Sequence, residues 1–322
     1  DGLPIIPPTQ EAVEEMLTGT DLPADMVIGK IVPRLGKATV EKIAINAVMA
    51  GALPTYMPVL IAGVKALLDP RSFFSTFEVS TGSWMPFWIV NGPIRKDLHV
   101  NSGSGALSPG DIANAAIGRA MGLIIKNIGG ARKGIEDMGT IGNPGKYTMV
   151  IAENEEASPW EPLHVQQKLH KQDSAVTLFF PNCITQVWPF SSDANGILHG
   201  ITLNIKVGRR GLFCVTLLPD HAKALADKGW SKKEIAGYVS QHARVPAYDD
   251  PGIYGPLIVM PPKHYMSAHP MGTTPILPDP DWIRVIVAGG PGNFMGLFAA
   301  SWFPGCEFVT QKVELPKNWD KL

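Results

Sequence analysis

The run IAINAVMAGALPTYMPVLIAGVKALL, residues 43–68, is the most apolar part of the chain and limits what it can fold into. A bilayer core of roughly 30 Å needs one unbroken apolar helix, and Gly51 to Pro54 cut this run into pieces of about 10 and 12 residues. Glycine ends one helix and proline restricts the start of the next, so the reading is two core helices over residues 40–50 and 56–68. No membrane partner is expected. The pair is also more apolar than one domain needs to cover, which predicts a homo-oligomer that buries the remainder.

With 322 residues, the chain exceeds one small core and implies two domains. A formal net charge of −1, with no long run of Lys or Arg, gives no field for nucleic acid or anionic lipid. Three widely spaced cysteines, Cys183, Cys214 and Cys306, form no CxxC pair and read as buried thiols of a reducing cytoplasm. Cys306 is the candidate if one thiol is reactive. The opening DGLPIIPPTQ shows no signal-peptide pattern, so a cytoplasmic location is expected.

Local signals supply the rest of the organisation. A helix is expected over residues 11–17 and a strand over 87–90. Ser108, followed by Pro109 and Asp111, suggests the cap of a helix running to Asn127. KYTMVIAE reads as a strand. SAVTLFF, GILHGITLNI, LFCVTLL, WIRVIVAGG and FVTQKVEL read as further strands. PDHAKALADKG and SKKEIAGYVSQHAR read as helices, with Ser231 and Glu234 as a capping box. A last helix is expected over residues 293–302. These elements imply an α/β class (α+β overall), with a helix-rich N-terminal domain over 1–170 and an α/β domain over 171–322.

Chemistry concentrates in ENEEASPWEPLH, residues 153–164. Only 18% of the chain is charged, yet these twelve residues hold four carboxylates and a histidine. Alternation along a strand puts Glu153 and Glu155 on one side and Glu156 on the other. Paired carboxylates suit general acid/base work or a hard cation, and a solvated acidic turn is the bland alternative. Ser158 and Glu161 also match a capping box with proline at the first helical position. Glu161 and His164, three apart, would share a helical face as a candidate pair of ligands for a divalent metal. On the Ser108 helix, Arg119 and Lys126 form a narrow stripe beside Ala115, Gly118 and Gly122. That stripe reads either as an anion clamp or as a packing face whose glycines let another segment approach. Arg95 and Asn91 of NGPIR are further substrate-binding candidates, and Lys146 and Tyr147 of GKYT candidate donors to an oxyanion. NSGSGALSPGD and AGGPGNF match no phosphate-loop spacing. His264 and His269 lack a partner at metal spacing, and a neutral imidazole is expected of His221 at a helix start.

DGLPIIPPT, EKIAINAVMAG, NGPIR, ANAAIGRAMGLIIKNIGG, GNPGKYT and ENEEASPWEPLH together resemble a bacterial family related to the UGSC-type (seleno)proteins. The resemblance covers residues 1–165 and continues more loosely through PDHAKALADKGWSKKEI. It implies an enzyme-like site without naming a reaction, and the missing CxxC-like pair argues against thiol redox chemistry. The function expected is acid/base hydrolysis or lyase chemistry on a small anionic substrate, with a divalent metal as an optional assistant. The alternative is a non-catalytic ligand-binding or assembly subunit.

Overall fold

A computed structural model describes residues 1–205, 211–246, 272–300 and 305–322. His264 and His269 lie outside the described residues. The chain divides into two compact units, one of residues 1–155, 162–182 and 308–322, the other of residues 156–161 and 183–307. A single cut at residue 170 therefore fails. The reason is sheet pairing: strands from both sides of that point share one sheet, and the C-terminal strand returns to the first unit.

The first unit opens with α1 (Gln10–Leu17), whose cap Thr9 accepts from the Ala12 amide. A hairpin of β1 (Val27–Ile31) and β2 (Gly36–Thr39) leads into α2 (Val40–Ala50) and α3 (Met57–Leu68). Gly51 ends α2 at φ 78°, in the left-handed region that favours glycine. Apart from Lys65 and Leu68, every residue of α3 is buried. Most of the apolar surface of α3 is covered within the chain by α2 and the sheet, while Leu53 in the connection is 51% exposed. After α4 (Phe74–Val79) come β3 (Phe87–Asn91), α5 (Ile94–Asp97), α6 (Ile112–Asn127), β4 (Val150–Ala152), α7 (Leu163–Gln166) and β5 (Ala175–Phe179).

The second unit contains β6 (Pro181–Val187, its first two residues still counted with the first unit), α8 (Ala194–Asn204), β7 (Phe213–Leu217), α9 (Pro219–Ala226) and α10 (Lys232–His242). The hairpin β8 (Arg244–Pro246) and β9 (Thr273–Pro275), then β10 (Ile283–Val287) and β11 (Met295–Ala300), follow, and β12 (Val309–Lys312) belongs to the first unit. One sheet has the order β12-β5-β3-β4, with β3 and β4 parallel and the other pairs antiparallel. The other has the order β10-β7-β11-β6, with β10 and β7 parallel. Helices with mixed sheets make this an α/β structure, as the sequence indicates. No helix among the described residues is long and apolar enough to cross a membrane.

Two elements change type. GILHGITLNI forms the helix α8, capped by Asp193, with Ile197, Leu198, Ile201 and Ile205 on its buried side. Their spacing is helical, and packing outweighs the strand preference of isoleucine and threonine. The segment expected as a last helix instead supplies β11, paired antiparallel with β7. Its partner strand offers unfilled backbone bonds that a helix would leave open.

Candidate functional site

β3 and β4 run parallel and end side by side at Asn91 and Glu153, and the Glu153 amide extends the ladder to the Val90 carbonyl at 3.2 Å. In open α/β sheets, groups that act on ligands gather at such carboxyl ends. Here the two strand ends join their side chains directly. Asn91 Nδ2 donates to Glu153 Oε2 at 2.7 Å and to Glu155 Oε1 at 3.1 Å. The two glutamates meet at one amide, but β4 ends at Ala152 and Glu155 lies in the turn beyond it, so the alternation expected from the sequence is not the reason.

Gly92 turns the chain after β3 at φ 83°, and a Cβ there would stand 2.1 Å from the Asp173 carbonyl oxygen. Only glycine fits. The turn aims the Gly92 amide at Glu155 Oε1, 2.7 Å away, and starts α5, which brings Arg95 Nε to 3.3 Å from the same oxygen. α7 supplies the remaining side: the Leu163 amide donates to Glu153 Oε2 at 2.7 Å, and His164 Nδ1 lies 3.9 Å from Glu155 Oε1. His164 Nε2 lies 3.4 Å from the Lys171 carbonyl oxygen.

Burial separates the roles. Asn91, Glu153 and His164 are completely inaccessible, whereas the Glu155 side chain keeps 11% of its surface. Glu153 is an anchor held by buried donors, which offset the cost of taking its carboxyl oxygens out of water. Glu155 is presented. All the bonds described for it end on Oε1, leaving Oε2 as the oxygen that makes none of them. His164 Nδ1 and Asn91 Oδ1 are buried and have no hydrogen-bond partner among the described residues.

Other candidates go elsewhere. Arg119 ties the N-terminal segment to α6 through Asp1 at 2.8 Å and the Pro4 carbonyl at 2.7 Å. It is no clamp beside the glutamates. Gly118 and Gly122 serve close packing, since a Cβ at Gly118 would stand 2.2 Å from Thr148 Oγ1. Lys146 pairs with Asp137 at 2.7 Å, and Tyr147 is 48% exposed, so neither joins the cluster. Glu156 and Glu161 are exposed and belong to the second unit.

The expected capping box at Ser158 does not form, because α7 starts only at Leu163. Ser158 Oγ instead bonds within its own turn, to Trp160. Glu161 therefore precedes the helix and shares no helical face with His164. Among the described residues, no group of three or more His, Cys, Asp or Glu is arranged to hold a metal ion. Ser108 is likewise not a cap; α6 starts after Asp111, whose carboxylate accepts from Asn101 at 2.8 Å and so braces the glycine-rich loop. Cys214 and Cys306 are buried and Cys183 is exposed.

Two features were missed in the sequence. The Gly92 amide is a site donor that no side chain advertises. Glu78, on α4, is only 5% exposed, and burial pushes its carboxyl up to about 7, with Lys146 opposing the rise and Asp137 adding to it. A lone acid in FSTFEV was its only signal. In the second unit His221 is buried, and desolvation lowers its pKa, which agrees with the neutral ring expected there. Comparison of the chain with protein-family models, with characterised proteins and with solved structures gives no match.

Proposed function

We propose that the chain is an enzyme that uses Glu155 for proton transfer on a small organic substrate, in hydrolysis or lyase chemistry. The observation that carries this reading is the asymmetry of the Glu155 carboxylate. Oε1 is fixed by Gly92, Asn91 and Arg95, which leaves Oε2 on a rigid, partly accessible group, as a positioned base requires. Arg95 stands beside the same carboxylate as the cation of the site, and His164 Nδ1 lies 3.9 Å from it. The resemblance to the UGSC-type proteins is consistent with an enzyme but names no reaction.

The test pairs two variants. Wild-type protein is incubated with a panel of small carboxylates, their esters and amides, and hydroxy and amino acids, and consumption is followed by proton NMR. Glu155→Gln should fold and lose turnover of whatever compound the parent converts. Glu153→Gln should lose roughly 1–3 kcal/mol of stability, because a neutral amide oxygen replaces the carboxylate oxygen that accepts from Asn91 and the Leu163 amide. A Glu155→Gln protein with full turnover sinks the proposal. A parent that binds a panel compound and converts none supports the ligand-binding subunit instead.

A further inference from the structure

Residues 132–147, between α6 and β4, lie against residues 81–83 just beyond α4, and polar contacts hold them there. Thr140 donates to the Thr81 carbonyl from its amide at 3.1 Å and from its hydroxyl at 2.9 Å. The Gly142 amide donates to Ser83 Oγ at 3.1 Å, and Asn143 Nδ2 to the Ser83 carbonyl at 3.2 Å. Arg34 and Arg132 both pair with Glu136. The apolar side chains of this segment contribute little, because Ile135, Met138 and Ile141 are exposed, Ile141 at 99%. A segment with few buried apolar contacts opens at a low free-energy cost, so a single change of charge can decide whether it stays closed.

Glu78, buried on α4, supplies that change. Lys146 and Asp137, both in the segment, act on its carboxyl and are paired with each other at 2.7 Å. The segment's other charges are Arg132 and Glu136, which pair together, and the exposed Lys133. The aromatic neighbours of α4 come from stretches 80–86 and 179–182, which hold no titratable side chain. With Glu78 protonated, one ammonium serves one carboxylate. With Glu78 ionised, Lys146 has to serve two, and one of them is out of water. Opening the segment hydrates that carboxylate. We propose that residues 132–147 form a pH-responsive strap, closed while Glu78 carries its proton and released when it loses it. The closed form keeps the proton up to about pH 7, whereas a hydrated carboxyl loses it near 4.5. Rising pH therefore favours the open form, and the ratio of open to closed should grow roughly seventyfold between pH 5 and 8.

Hydrogen exchange of the full chain tests this, with each rate divided by the intrinsic rate at the same pH. Protection of the Thr140 and Gly142 amides should fall roughly seventyfold from pH 5 to 8 and level off above pH 7. Urea below the unfolding transition should leave that protection unchanged, which marks local opening rather than global unfolding. In Glu78→Gln the profile should be flat. The carboxyl carbon of Glu78 should titrate near pH 7 in NMR spectra of the parent. A flat profile in the parent, or the same pH dependence in Glu78→Gln, overturns the inference. So does strap exchange that tracks the β3 core in urea, or a Glu78 carboxyl that titrates in the ordinary range. Should Glu78→Gln not fold, the parent's exchange profile and carbon titration decide alone.

Discussion

Glu78→Gln isolates the energetic effect of one buried acid. Glu78 is 5% exposed on α4, and desolvation raises its carboxyl from an ordinary value of 4.5 to about 7. The folded protein therefore holds this proton more tightly than the unfolded chain does. Below pH 4.5 both states are protonated and the group costs nothing. As pH rises from 4.5 through about 7, the unfolded chain loses its proton first, and folding stability falls. The gap between those values, at about 1.4 kcal/mol per pH unit, corresponds to roughly 3 kcal/mol lost at pH 8. Glutamine keeps the shape and cannot ionise. Whatever offset the swap has at pH 4, the variant should gain on the parent by roughly 3 kcal/mol on going to pH 8, or roughly 5 °C in thermal midpoint. Thermal scans of both proteins at half-unit pH steps measure the gap directly. A difference that stays constant from pH 4 to 8 would show that Glu78 titrates as an ordinary carboxyl and would refute the reasoning.

Three further substitutions test other parts of the structure. Gly92→Ala must accept φ 83° and a Cβ 2.1 Å from a backbone oxygen, so a loss above roughly 2 kcal/mol is expected in urea unfolding, and an unchanged midpoint would contradict the turn. Arg119→Ala removes the bonds to Asp1 and Pro4 and should cost roughly 1–2 kcal/mol. Hydrogen exchange in residues 1–9 should speed up, and protection equal to the parent's would show that Arg119 does not hold the segment. Ser231→Ala breaks the capping box with Glu234 and should cost about 1 kcal/mol without touching the first unit, which chemical denaturation can check.

Local physics made part of this molecule legible in advance. The glycine and proline between α2 and α3, the Ser231 box and the strands at residues 87–91, 175–179, 213–217 and 283–287 all use signals contained within a few residues. The meeting of Glu153 and Glu155 at Asn91 does not follow from strand alternation, since β4 stops at Ala152 and Glu155 sits in the turn beyond it. Tertiary structure decided what those signals could not. GILHGITLNI became a helix and residues 295–300 a strand, since a buried face and an open strand edge outweigh propensities worth fractions of a kcal/mol per residue. Ser158 and Ser108 look like caps because the pattern is short and cheap to match, while the start of a helix depends on where the neighbouring chain leaves room. The site shows the same division. ENEE marked the carboxylates, but Asn91, Gly92, Arg95 and His164 lie up to 73 residues apart in sequence and meet only because β3 and β4 pair in parallel and α7 folds back on their ends. A sequence names the charges; only the folded chain determines which oxygen is held, which is left open, and which nitrogen faces it.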